Sequence, residues 1–145
     1  MNAREALRRF FALGAGSLLV FIAACAMMTP VRSLSLTLTG SEEVPPVASQ
    51  ATGKGNFTVA SNQSVSGNVL TSGLSAVAAH LHSGARGENG PIVIGLVKTA
   101  DNIWAVPAGA QFNDAQYAAY KAGRMYVNVH TPANRGGEIR AQLTP

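Results

Sequence analysis

AHLHSGARGE at residues 79–88 and VHTPANRGGE at residues 129–138 are the stretches on which the reading of this chain turns. Each is an apolar strand ending in His, then Ser or Thr, then a short turn holding Ala, Arg, Gly and Glu. All three histidines of the 145-residue chain, His80, His82 and His130, lie in them. Side chains alternate across a strand, so residues two apart share a face. His80 and His82 therefore point one way, and Ala79 and Leu81 the other. Tyr126, Asn128 and His130 likewise share a face opposite Val127 and Val129. Two such strands side by side bring three imidazoles onto one polar face. Neutral imidazole suits copper and zinc, and three such ligands leave a coordination position open. His80, His82 and His130 are thus candidate ligands for copper or zinc. The competing reading is structural: the histidines hydrogen-bond loop backbone at the strand ends, His82 and His130 each preceding a matching turn.

Working outward, residues 33–39 (SLSLTLT) alternate cleanly, as a half-buried strand does. Residues 40–52 contain Pro45, Pro46, Glu42 and Glu43 and read as an extended connection. Residues 55–60 and 65–71, around the turn 61–64, read as a hairpin. Residues 91–98 are apolar on both faces and predict a strand lying centrally in the fold. Residues 102–106 predict a short strand carrying the only tryptophan, Trp104. Asn113 and Asp114 are placed to cap a short helix over 115–122, ended by Gly123. Residues 125–130 and 138–143 then form a last hairpin, with Ile139, Ala141 and Leu143 inward. The sum is an all-β chain: an antiparallel, Greek-key-like β-sandwich of about eight strands with one short helix, a closed barrel being the alternative.

On the last strand, Glu138, Arg140 and Gln142 share a face. Paired with 125–130, that face is the histidine face, so Asn128 or Glu138 can orient an imidazole from behind. The plainer reading of the charges is that Arg86, Glu88, Arg135 and Arg140 form Glu–Arg bridges that stabilise the turns. No Gly-x-Ser-x-Gly elbow is present, and the glycine-rich loops lack the Gly-Lys-Ser/Thr ending of a phosphate loop. No catalytic residue is assigned.

Residues 79–91 (AHLHSGARGENGP) and 126–142 (YVNVHTPANRGGEIRAQ) resemble the signature segments of the CHRD domain, named for chordin and common in bacterial exported proteins. Residues 37–47 (TLTGSEEVPPV) resemble that domain's opening. The resemblance covers roughly residues 33–143, so 33–145 is read as one CHRD domain. It implies an all-β extracytoplasmic module rather than a known reaction.

The amino-terminal stretch is of another kind. Arg4, Arg8 and Arg9 precede an apolar run over 10–28 broken only by Gly14, Gly16 and Ser17. A basic start followed by an apolar run is a secretory signal, here residues 1–24. Residues 22–25 (IAAC) resemble a bacterial lipobox, which makes Cys25, the only cysteine, a lipidation site and residues 25–32 a tether. Ordinary cleavage after Ala26, a single membrane anchor, and a twin-arginine export signal at residues 8–11 compete with this reading. From Cys25 onward eight basic and six acidic residues remain, with no Lys/Arg run. The chain has no electrostatic footprint for nucleic acid. The expected function is an envelope-anchored, non-enzymatic module held to the membrane by lipid. It would bind a protein or extracellular ligand through its loop-bearing face. The alternative is a copper- or zinc-binding envelope protein with redox chemistry as a further option.

Overall fold

The computed structural model describes residues 32–145. Within it the alternating leucines of SLSLTLT form β1 (Ser33–Thr39), with Leu34 and Leu38 buried and Ser33 and Ser35 exposed. A 3-10 turn at Gly40–Glu42 leads through an extended segment into β2 (Thr52–Val59) and β3 (Val65–Ser72). These two pair as the expected hairpin, from Thr52 opposite Ser72 to Val59 opposite Val65. β4 (Ala78–Ser83), β5 (Ile92–Gly95), β6 (Val97–Ala100) and β7 (Ile103–Ala105) follow. The helix α1 (Asp114–Lys121) comes next, then β8 (Met125–His130) and β9 (Ile139–Leu143). Asn113 and Gln116 close a capping box at the start of α1, and Gly123 lies just past its end in a left-handed conformation (φ 68°), as that sequence predicts.

All nine strands belong to one antiparallel sheet in the order β5-β4-β8-β9-β1-β2-β3-β7-β6. The described residues are therefore all-β, as expected, with one helix among them. β5 and β6 are consecutive in sequence yet occupy opposite edges, with only Leu96 between them. The sheet curls until its edges nearly meet, and the backbone at Leu96 crosses the gap. Leu96 is buried, and its N–H donates to Ala79 O at 2.9 Å. This corrects the reading of residues 91–98 as one central strand. Their apolar residues serve two short edge strands, and Ile92 and Val97 lie at 58% and 48% exposure. An unbroken apolar run fits a strand buried on both faces and equally an edge pair that buries one residue, so periodicity does not separate them.

The curled sheet encloses an apolar interior. Leu38, Phe57, Val69, Leu81, Val127, Val129, Ile139 and Leu143 are each fully buried there. Gly53 faces this interior from β2, and a Cβ on it would press on Leu38, Val69 and Ile139 at 3.1 to 3.3 Å. Its lack of a side chain lets three strands' residues meet. The signal peptide expected at 1–24, Cys25 and the tether up to Val31 lie outside the described residues. No helix among the described residues is long and apolar enough to cross a membrane.

Burial of Leu81 and Val129, against 45% exposure of Leu70, sets up a direct test of the sheet's sidedness. Leu81→Asp and Val129→Asp should each cost more than about 3 kcal/mol, because an unpaired carboxylate enters the core. Leu70→Asp should change stability by no more than about 0.5 kcal/mol. Urea unfolding followed by fluorescence of the buried Trp104 reads all three, and equal effects at the three positions would refute the assignment of faces.

Candidate metal centre

The polar face foreseen from alternation is built on β4, β8 and β9. In β4, Ala79 and Leu81 go into the core and the two histidines go outward. The register places Ala78 opposite His130, His80 opposite Asn128, and His82 opposite Tyr126. On the other side of β8, Asn128 faces Arg140 and Tyr126 faces Gln142. One outward face therefore carries His80, His82, Tyr126, Asn128, His130, Arg140 and Gln142. It is outward but not wet: all of these except His80 are buried, Arg140 at 1% exposure.

Three segments cover the face. The 84–91 loop is held by Arg140, whose Nη2 donates to Glu88 O at 2.8 Å and Ala85 O at 3.2 Å and whose Nη1 donates to Asn89 Oδ1 at 3.2 Å. Gln142 Nε2 donates to Gly84 O and Gly123 O, both at 2.8 Å. Gly90 N donates to the Tyr126 hydroxyl at 3.2 Å. The 131–138 turn is tied by Glu138, whose carboxylate accepts from Thr131 Oγ1 at 2.6 Å and Ser49 Oγ at 2.7 Å. The segment after the 3-10 turn brings in Glu43, which is 4% exposed. Gly137 (φ 133°) lets that segment approach, since a Cβ there would collide with the Glu43 carboxylate and the Asn128 amide.

The three imidazoles meet under these loops, with one nitrogen from each within 4.8 Å of the other two. His82 Nδ1 lies 2.9 Å from Gly90 O, and His130 Nδ1 lies 2.9 Å from Arg135 O. A carbonyl oxygen only accepts, so both Nδ1 atoms carry the proton and both Nε2 atoms hold a lone pair. His82 Nε2 is buried with no hydrogen-bond partner among the described residues. His130 Nε2 lies 2.9 Å from His80 Nδ1. His82 also stacks on Tyr126, rings 4.8 Å apart and 6° from parallel, and the Arg140 guanidinium lies 3.4 Å from the centroid of the same ring.

Electrostatics keep the cluster uncharged. Burial, then the neighbouring His130 and His82, pushes His80 down to about 4. Burial also holds His82 and His130 below the usual imidazole value, against the opposing pull of their carbonyl partners. At neutral pH all three imidazoles are therefore free of the proton that competes with a metal. Glu43 goes the other way: burial raises it to about 7, although Arg140 and Asn128 favour its charged form.

The carbonyls of Gly90 and Arg135 hold the Nδ1 atoms of His82 and His130, and the Asn128 side chain also acts on His82. Glu138 instead fastens Thr131 to Ser49, and Asn128 Nδ2 donates to Gly136 O at 3.2 Å. The turn charges are distributed differently from a bridge within each turn. Arg86 pairs with Glu42, and Glu88 with Arg124 at 3.5 Å. Both pairs are exposed and contribute about 0–1 kcal/mol. Arg140 anchors the loop through backbone oxygens, and Arg135 is exposed and supplies its carbonyl. Sequence reasoning missed Glu43, whose loop position gave no sign of burial, and Gly90, whose contribution is a backbone atom.

The fold and the site define an antiparallel β-domain carrying a covered three-histidine cluster on one sheet face. The chain belongs to the CHRD domain family, whose model matches residues 34–143. No match to the chain was found among curated proteins or solved structures.

The opposed shifts fix a pH dependence for the metal-free protein. Unfolded histidines take up protons below about 6.5 while the folded ones resist until lower pH, so each histidine removes stability as pH falls. Glu43 binds its proton more readily when folded and opposes this over the same range. Its effect is comparable to that of His80, which leaves His82 and His130 to set the net direction. Stability in a chelator should fall from pH 6.5 to 5, and more steeply in Glu43→Gln, where the opposing group is gone. Thermal melts across that range check it; a shallower dependence in Glu43→Gln would contradict the assignment.

Proposed function

We propose that this domain is a non-enzymatic binding module whose bound species is a divalent transition metal, copper or zinc, held by His80, His82 and His130. One observation carries the reading: His82 Nε2 is a buried lone pair with no hydrogen-bond donor among the described residues, in a cluster where one nitrogen from each of three imidazoles lies within 4.8 Å of the other two. An orphaned buried acceptor costs about 1–3 kcal/mol. A purely structural histidine cluster leaves that cost standing, whereas a cation removes it. The carbonyl bonds at Nδ1 support the same reading, because a ligating imidazole is ordinarily fixed through its other nitrogen. His80 must move its own proton from Nδ1 to Nε2 to join as a third ligand. It is the half-exposed member of the three, so that proton can reach solvent. Three neutral nitrogens leave a fourth position for water or an exogenous ligand.

Display of the module in the envelope through a lipid on Cys25 belongs to the same proposal, supported by the sequence of residues 1–25. Intact-mass analysis should find an acylated chain beginning at Cys25, and a soluble product beginning at Met27 would remove the lipid anchor.

For the metal, calorimetric titration at neutral pH of protein bearing no histidine tag should give one zinc or copper ion per chain. Saturation at about 100 times Kd should stabilise the fold by about 2.7 kcal/mol. His82→Ala and His130→Ala should each abolish most of that gain. Absence of binding by both ions at micromolar concentration would overturn the proposal.

A further inference from the structure

A cavity of about 480 Å³ opens against His80 and His130, the accessible side of the cluster. Val77, Ile92 and Pro132 form apolar parts of its lining, and Arg135 contributes to the same wall. Val77 and Ile92 are 57% and 58% exposed, the two most exposed of the four large apolar side chains at the surface among the described residues. Their placement together on one cavity is not the scattered surface hydrophobicity of an ordinary monomer. Arg135 makes no ion pair among the described residues, whereas Arg86, Lys98 and Arg124 each have a carboxylate partner. No carboxylate lines the cavity.

We infer that this cavity binds a small organic carboxylate with a short apolar body, the inference resting on the metal reading above. The head group is chosen by charge. A divalent ion on three neutral imidazoles keeps its full charge, and Arg135, a lining residue with no ion pair among the described residues, is a second positive group at the cavity. Both call for an anion, and a carboxylate matches a guanidinium and an open metal position alike. The body is chosen by the wall: Val77, Ile92 and Pro132 offer apolar contact and no hydrogen-bond partner from their side chains. The volume lies in the range of small-molecule sites. His80 links the two halves, being both a candidate ligand and part of the cavity lining.

The test uses the full chain loaded with zinc, and hexanoate, acetate and hexanol as probes in calorimetric titrations. Hexanoate should bind at least about tenfold more tightly than either acetate or hexanol, and removing zinc should lose most of that affinity. Arg135→Gln should weaken hexanoate binding to the zinc-loaded protein by about tenfold. Val77→Ser with Ile92→Ser should narrow the gap between hexanoate and acetate; both positions are exposed, so the fold should tolerate them. Zinc binding without hexanoate binding, or hexanol binding as tightly as hexanoate, overturns this inference and leaves the metal proposal standing. Equal affinity for acetate and hexanoate overturns the role of the apolar wall, and with it the ligand class. Absence of zinc binding overturns both proposals.

Discussion

The buried guanidinium of Arg140 is the interaction on which the site depends. It donates to the carbonyls of Ala85 and Glu88 and to Asn89, and so holds the 84–91 loop down on the sheet. Gly90 belongs to that loop, and its carbonyl fixes the proton of His82 on Nδ1. Loss of the anchor therefore reaches the imidazole through Asn89, the residue before Gly90. A buried cation is expensive unless its donors are satisfied and a countercharge is near. Here three loop acceptors, the face of Tyr126 and the carboxyl of Glu43 share that role, and burial still pulls Arg140 below its usual value. Lysine carries three donors on one atom and lacks the planar fork that spans separate acceptors. The position is thus specific for arginine on geometric grounds.

β8 and β9 are buried on both faces, and the two faces are chemically opposite. Inward, Val127, Val129, Ile139 and Leu143 join an apolar core that supplies cohesion. Outward, the same strands carry a polar layer in which nearly every group has a named partner. Satisfied polar networks rigidify, because each bond is directional and the surroundings are of low dielectric. The atoms left unsatisfied there are informative against that background: His82 Nε2, Asn128 Oδ1 and Glu43 Oε1. All three can accept, and they lie in the covered layer that also holds the imidazoles.

Much of this was legible from alternation alone. His80 and His82 share a face because they are two apart, and Tyr126, Asn128 and His130 do so for the same reason. The hairpins β2–β3 and β8–β9 were legible because their turns are local. Three features were not. The pairing of β4 with β8 joins residues about fifty positions apart, and local pattern does not encode such a register. Burial of the outward face depends on loops folding back over it, which polar composition argues against. The division of 91–98 between two sheet edges depends on closure of the whole sheet. The family resemblance marked the loops without revealing what they do; Arg140 and Gly90 act through backbone contacts that no motif displays.

Loop carbonyls hold the imidazole protons of His82 and His130 on Nδ1 and leave both Nε2 atoms with a lone pair. Long-range proton–nitrogen correlation spectra of the three imidazoles, recorded near neutral pH without metal and then with one equivalent of zinc, test this central claim most directly. His82 and His130 should be pure Nδ1–H tautomers in the metal-free protein, with both Nε2 resonances moving on zinc addition while both Nδ1 protons remain. Nε2–H tautomers at either residue, or nitrogen resonances indifferent to zinc, would contradict it.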